Sequence, residues 1–200
     1  YKLMKARRYD IVHAHMTLTN CFPLFIASLC GVKIRISHSH MAGKRTIKSI
    51  ILAFMSRKFA TDYFACGEEA GQYLYGKQKF QIINNAIELE KYYPNNEIRN
   101  SQREKFGIKD KTIVLGHVGR FTYQKNHKKI IDIFEQYHKK NPDSVLLLVG
   151  SGEEYQEIKK MVVDRGISKK VIFTGIINDV YNVIQAMDLF LLPSFYEGLC

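Results

Sequence analysis

Ile113-Val114-Leu115-Gly116-His117-Val118-Gly119-Arg120-Phe121-Thr122-Tyr123-Gln124-Lys125-Asn126-His127 passes from an apolar run to a short polar loop, and then to a helical pattern that opens at about Asn126. The run ends at Gly119-Arg120, and two cations, Arg120 and Lys125, bracket the loop. A strand that delivers an Arg to its carboxyl end, followed by a Lys at a helix start, makes a cradle for an anion. The guanidinium offers a planar fork to phosphate oxygens, the ammonium a point charge, and the helix N-terminus free backbone N–H groups. In an open parallel sheet, ligands gather outside the carboxyl ends of the strands. The loop is therefore expected to hold a diphosphate-bearing ligand, the alternative being a surface loop with solvated charges.

Outward from this stretch the same alternation continues. Strands are expected at residues 112–118, 144–149, 171–174 and 189–192, with helices at 126–140, 153–165 and 180–186. Upstream, strands are expected at 9–15, 32–37, 61–66 and 80–83, with helices at 18–30, 46–59 and 67–75. Gly31 stops the first of these helices, and the acids Glu68 and Glu69 sit where the helix dipole favours them. The run Val32–Ser37 is expected to lead into a polar loop, His38-Ser39-His40-Met41-Ala42-Gly43. Strands alternating with helices imply parallel sheets with helical crossovers, so the fold class is α/β. Residues 90–110 are polar, contain Pro94-Asn95-Asn96, and carry one modest helical pattern over 98–106. The expected organisation is a first domain over 1–92, an inter-domain connection over 93–110 and a second domain over 111–200.

Two hundred residues with 46% hydrophobic and 12% aromatic content describe a globular chain rather than a disordered one. It starts at Tyr1 rather than Met and stops at Cys200 inside a motif, so a fragment cut at both ends is expected. No apolar run reaches the roughly 18 residues of a membrane-spanning helix. The four cysteines, Cys21, Cys30, Cys66 and Cys200, form no CxxC pair and are expected as buried thiols of a reducing compartment, the cytoplasm. Residues 1–60 hold 11 Lys and Arg against the single acid Asp10, a net of +10 within a total of +11. Such a basic segment suits an anionic membrane surface or nucleic acid, or is a solvated Lys-rich face.

Several further residues carry chemistry. Gly150-Ser151-Gly152-Glu153 follows a strand and opens a helix, as a dinucleotide-binding turn does. It lacks the third Gly, however, and puts acids where a pyrophosphate would approach, so it reads as a turn with an acidic helix start. Gly175 ends a strand where a flat base could meet backbone groups. Glu197 stands just past the run Leu189–Leu192, where a carboxylate can accept hydrogen bonds from sugar hydroxyls; a solvated loop Glu is the alternative. His13/His15 and His38/His40 form two His-x-His pairs, each able to present two imidazoles to one side of a strand. No well-spaced acid or Cys completes a metal set, and no Asp-x-Asp offers a carboxylate-held ion for a diphosphate.

Taken as a set, Gly119-Arg120-Phe121 with Lys125-Asn126-His127, Leu147-Leu148-Val149-Gly150-Ser151-Gly152, Val171-Ile172-Phe173-Thr174-Gly175, and Ala186-Met187-Asp188-Leu189-Phe190-Leu191-Leu192-Pro193-Ser194 into Glu197-Gly198-Leu199 resemble the retaining glycosyltransferase family four, glycosyl transferases group 1. That family has the GT-B architecture of two Rossmann-like parallel-sheet domains, both expected to be incomplete here. His38-Ser39-His40 after a basic strand looks most like its capsule and exopolysaccharide branch.

The resemblance implies transfer of a sugar from a nucleotide-sugar, a UDP-sugar, to an acceptor hydroxyl with retention. It implies that Gly119, Arg120 and Lys125 hold the donor diphosphate, that Glu197 contacts ribose or sugar, and that Gly175 and Ile176 border the base. It also implies that Gly43 lines the phosphate from the first domain and that His38, or its rival His40, lies near the sugar. A second Glu of the family pattern would fall beyond Cys200, and the fragment is expected to be inactive alone. No cofactor and no metal are expected, the cations doing the neutralising. The partners implied are the donor and a glycan or lipid-linked acceptor, with an anionic membrane surface met through residues 1–60 and no nucleic acid. The expected location is cytoplasmic, peripheral on the inner face of the membrane. The alternatives are a nucleotide-sugar 2-epimerase on the same architecture and a basic membrane- or nucleic-acid-binding module without catalysis.

Overall fold

In the computed structural model, which describes residues 1–198, the alternation of strands and helices forms two separate four-stranded sheets. Every strand runs parallel to its neighbours. The chain divides into two compact units. One comprises residues 1–86 together with the described residues from Tyr196 onward, and the other residues 87–195.

The first unit opens with helix α1 (Lys2–Arg7), which buries no residue and so has no apolar stripe to announce it in the sequence. Strands β1 (Ile11–Ala14), β2 (Ile34–Ser39), β3 (Asp62–Ala65) and β4 (Gln81–Ile82) lie side by side in chain order. The crossovers are α2 (Cys21–Leu29), α3 (Ile47–Phe59) and α4 (Glu68–Tyr75). Helix α3 starts where Thr46 and Ser49 exchange hydrogen bonds, the Thr46 hydroxyl accepting from the Ser49 N–H at 3.1 Å and the Ser49 hydroxyl from the Thr46 N–H at 2.8 Å. This reciprocal cap satisfies two donors that a helix end leaves open. The thiols of Cys21 and Cys66 are buried and that of Cys30 partly so; Cys200 lies outside the described residues.

One element departs from its expected bounds in a way that matters for the site. β2 runs past Ser37 to Ser39, so His38 belongs to the strand and not to the loop that follows it. The cause is the ladder with β3: His38 pairs with Phe64 and Ser39 with Ala65, and the Cys66 N–H donates to the Ser39 carbonyl at 2.9 Å. Main-chain pairing extends the strand through residues whose side chains are polar.

In the second unit, helix α5 (Asn96–Lys105) is followed by β5 (Ile113–Val118), α6 (His127–Lys140), β6 (Ser144–Val149), α7 (Tyr155–Asp164), β7 (Val171–Gly175), α8 (Val180–Ile184) and β8 (Leu189–Phe190). Alternation along β5 and β6 sends Leu115, Leu146 and Leu148 to one face, against Ile130, Ile131 and Phe134 of α6 and Ile158 and Val162 of α7. Val114, Leu147 and Val149 go to the other face, against Val183 and Ala186 and the stretch Phe106–Ile108. The strand order is β7-β6-β5-β8. The chain therefore steps outward from β5 and then crosses back to place β8 on its other side, which makes the β5/β8 border the topological switch point.

The stretch 93–110, expected as a connection, is folded within this unit. Asp188, at the entrance to β8, accepts from Arg99 and Arg103 of α5, the latter at 2.7 Å, and from the Val114 N–H of β5 at 2.7 Å. The Arg103 side chain is 3% exposed and also donates to the carbonyls of Ala186, Lys109 and Asp110. Burial, the largest single influence, pushes the Asp188 carboxyl upward, but the Val114 N–H and the two guanidinium groups together hold it below the usual carboxylate range. Replacing Asp188 with Asn leaves Arg103 buried beside a neutral partner and is expected to lower stability by about 3 kcal/mol, read as a shift of the denaturant midpoint. Because the folded-state value is lowered, this contribution is present above the ordinary Asp range and lost as pH falls through the lowered one. The variant's stability should accordingly fall less steeply on acidification.

Candidate functional site

In the second unit the carboxyl ends of β5, β6 and β7 are fastened together by backbone. The Gly119 N–H donates to the Val149 carbonyl at 3.0 Å, Phe121 to Ser151 at 3.0 Å, Glu154 to Phe121 at 3.1 Å, and Gly150 to Gly175 at 2.8 Å. Glycine is required for this approach. A Cβ on Gly150, whose φ is +130°, would stand 2.1 Å from the Gly119 carbonyl oxygen, and one on Gly152 would stand 2.4 Å from that of Phe121. The Gly150-Ser151-Gly152 turn thus serves to press one loop against another, with α7 opening at Tyr155 behind it.

On the other side of β5, the β8 end frames the same loop. The Phe195 N–H donates to the Gln124 carbonyl at 2.9 Å, and Tyr123 stacks on Phe195 with centroids 4.6 Å apart. Asn126, in the left-handed conformation at φ +55°, donates from its side chain to the Pro193 carbonyl at 3.1 Å. Asn tolerates that backbone region better than most residues, which lets the chain turn sharply from the loop into α6. Arg120 is exposed and its guanidinium lies 3.5 Å from the Glu153 carboxylate. An exposed pair of this kind is worth under about 1 kcal/mol, so the Arg can exchange its partner for a ligand. Lys125 is half-buried at the end of a short 3-10 turn, Tyr123–Lys125. Gly119, Arg120, Lys125 and Gly175 are thus all carried at the carboxyl edge of this sheet, and Ile176, just past β7, is 80% exposed.

His127 was not singled out by the sequence reading. It is fully buried, stacks on Phe121 with centroids 3.8 Å apart, meets the His117 ring edge-on at 4.8 Å, and among the described residues makes no hydrogen bond from either ring nitrogen. Burial first, then the neighbouring His117 and Lys125, lowers its pKa to about 3. It is a neutral aromatic wedge under the cationic loop. The unfolded chain binds its proton near pH 6.5 and the folded chain only near 3, so stability declines as pH falls through that window. His127→Gln is expected to flatten that decline by up to about 1.4 kcal/mol per pH unit between pH 6 and 4, as measured by denaturant unfolding at each pH.

In the first unit the two His-x-His pairs meet across strands. His13 Nε2 lies 3.2 Å from His38 Nδ1, and His15 Nδ1 lies 2.9 Å from His40 Nε2, while His40 Nδ1 lies 3.1 Å from Asn85 Oδ1. His38 is 4% exposed, whereas His13 and His15 face solvent. Burial, followed by the other three imidazoles, lowers His38 to about 4; burial and the neighbouring rings also lower His13 and His15. His13, His15 and His38 are therefore neutral at pH 7.

Two buried polar residues hold the cluster in place. The Asn20 side chain donates to Ser37 Oγ at 2.9 Å and to the His38 carbonyl at 3.1 Å. Thr17 accepts from the His40 N–H at 3.0 Å while itself held at φ +55°, a conformation strained for a β-branched residue. The sequence signal for the pairing was present: two His-x-His pairs at the ends of consecutive parallel strands. Only the register, His13 against Ile36 and Ala14 against Ser37, brings the pairs level.

Gly43 sits beside Tyr73, whose ring a Cβ would meet at 3.5 Å, an ordinary contact, so sterics do not demand glycine there. Glu197 is half-buried, in the stretch from Tyr196 that groups with the first unit.

With this geometry, residues 98–200 match the family of glycosyl transferases group 1, and the chain belongs to that family. It is 29% identical over 214 residues to the UDP-Gal:alpha-D-GlcNAc-diphosphoundecaprenol alpha-1,3-galactosyltransferase of Escherichia coli, covering all of this chain and 55% of that protein. It is 24% identical over 217 residues to the capsular polysaccharide biosynthesis glycosyltransferase CapH of Staphylococcus aureus, covering 99% and 57%. Among solved structures it superposes on Anabaena Alr3699/HepE in complex with UDP and glucose with a TM-score of 0.83 and 21% identity, over 96% of this chain and 55% of that one. The two Rossmann-like sheets are those of the GT-B architecture, and the chain spans about half the length of the curated relatives it matches.

Proposed function

We propose that the protein transfers a sugar from a UDP-sugar to an acceptor hydroxyl, with retention of configuration, in the assembly of a capsular or exopolysaccharide. The observation that carries this reading is the placement of Arg120 and Lys125 on the β5–α6 loop at the switch point of the second sheet. Breaking the bond between sugar and phosphate builds negative charge on the departing diphosphate. A guanidinium and an ammonium fixed at that position stabilise the charge as it develops, without a metal. Gly175 and Ile176 border the base, Glu197 accepts from ribose or sugar hydroxyls, Gly43 lines the phosphate, and His38 (or His40) lies near the sugar. The HepE complex with UDP and glucose and the UDP-Gal donor in the name of the E. coli relative support the choice of nucleotide.

Calorimetric titration of the complete protein with UDP in EDTA tests the cradle. Arg120→Ala and Lys125→Ala are each expected to weaken binding 10- to 100-fold, about 1.4–2.8 kcal/mol. Binding indifferent to both substitutions would sink the reading.

The acceptor is proposed to be lipid-linked and met at the inner face of the cytoplasmic membrane, as the diphosphoundecaprenol in the name of the E. coli relative suggests. No helix among the described residues is long and apolar enough to cross a membrane. Helices α2 and α3 instead expose Phe22, Leu29, Ile50, Ile51 and Phe54, within the segment of net charge +10. Co-sedimentation with vesicles should rise with anionic lipid content and fall with salt, at about 1 kcal/mol per basic residue engaged. Equal binding to neutral and anionic vesicles would remove this part of the proposal.

A further inference from the structure

The four-imidazole cluster asks for an explanation beyond a single histidine near a sugar. Ligand nitrogens of His13, His15 and His38 all lie within 4.8 Å of one another. We propose that His13, His15 and His38 form a binding site for a divalent transition metal ion, zinc above all, at the carboxyl ends of β1 and β2. The sequence offers no acid or Cys to complete a metal set with these pairs, and no metal is expected from it; in the fold the third ligand is a histidine of the other pair.

Three features carry the assignment. The first is spacing. Two nitrogens sharing a tetrahedral zinc at about 2.0–2.1 Å stand about 3.3 Å apart, and His13 Nε2 and His38 Nδ1 are 3.2 Å apart. Two imidazole nitrogens at that distance share either a proton or a metal.

The second is the surrounding hydrogen bonding. Asn85 Oδ1 only accepts, so His40 carries its proton on Nδ1 and accepts at Nε2 from the His15 Nδ1–H. That leaves the lone pair of His15 on Nε2, and it gives a ligating histidine the outer partner that metal-bound imidazoles usually have.

The third is ligand type and access. An all-imidazole set suits zinc and its neighbours, and the absence of a carboxylate from the set disfavours calcium and magnesium. His38 is held rigidly in its strand, while the exposed His13 and His15 provide entry for the ion and an open coordination position.

The test is titration of the complete protein with Co²⁺, a spectroscopic stand-in, followed by displacement with Zn²⁺. One equivalent should give an intense visible band of tetrahedral type, and Zn²⁺ should abolish it. His13→Ala and His15→Ala, both at exposed positions, should each weaken Co²⁺ affinity at least 10-fold, and Asn85→Ala about 10-fold. His138→Ala, on α6 of the other unit, should leave it unchanged. Circular dichroism checks that each variant stays folded; should His13→Ala unfold, the His15→Ala result decides. Absence of the band, or a band whose affinity neither histidine substitution alters, would overturn the proposal. The readout needs no turnover, so its failure and that of the transferase reading are distinguishable.

Discussion

A single carboxylate, that of Asp188, holds the second unit to its topology. It binds Arg99 and Arg103 of α5 and replaces a strand partner at the Val114 N–H, while its own N–H donates to the Val114 carbonyl at 2.8 Å. These bonds start the pairing of β5 with β8, which is short: Leu115 with Leu189 and Gly116 with Phe190. The switch point therefore rests on few main-chain bonds and on one well-satisfied charge cluster. Arg103 spreads its donors over three carbonyls and the carboxylate, which is what makes a buried guanidinium tolerable. The β5–α6 and β8 loops leave the sheet beside this joint and are then tied to each other through Phe195 to Gln124 and Asn126 to Pro193.

Much of this was legible in the sequence, for reasons that can be named. Leu146-Leu147-Leu148-Val149 is apolar throughout because β6 is covered on both faces, and such a run bounded by polar residues reads as a buried strand. Helix α6 has its apolar residues at helical spacing, so its bounds were close to those expected. What stayed hidden depended on partners distant in sequence. Nothing within residues 93–110 says that Arg99 and Arg103 meet an acid more than eighty residues on, so a polar helix was read as a connection. His38 looked like a loop residue because its place in β2 comes from pairing with β3 and not from its side chain. His127 was passed over because the sequence cannot show that a histidine at a helix start turns inward onto Phe121.

The two units treat charge in opposite ways. The second keeps Arg120 exposed and Lys125 half-buried on a loop whose floor is a neutral, desolvated imidazole, so positive charge is presented without a competing cation beneath it. The first gathers four imidazoles and keeps three of them, His13, His15 and His38, neutral through burial and mutual repulsion. Neutral imidazoles offer lone pairs and single N–H groups, suited to sugar hydroxyls or to a soft ion, whereas the cations suit phosphate.

The glycine contacts between the β5 and β6 loops bear on how this surface can diversify. Connecting loops ordinarily accept insertions and change length freely. Here Gly119 to Phe121 and Gly150 to Gly152 run backbone on backbone, with no side chain between them to absorb a shift. An added residue in either loop would displace the other, and with it the turn into α6. Change at this edge is thus confined to substitution at positions that point outward, Glu153 and Ile176 among them. The main chain acts as a fixed frame on which side-chain chemistry is exchanged one residue at a time.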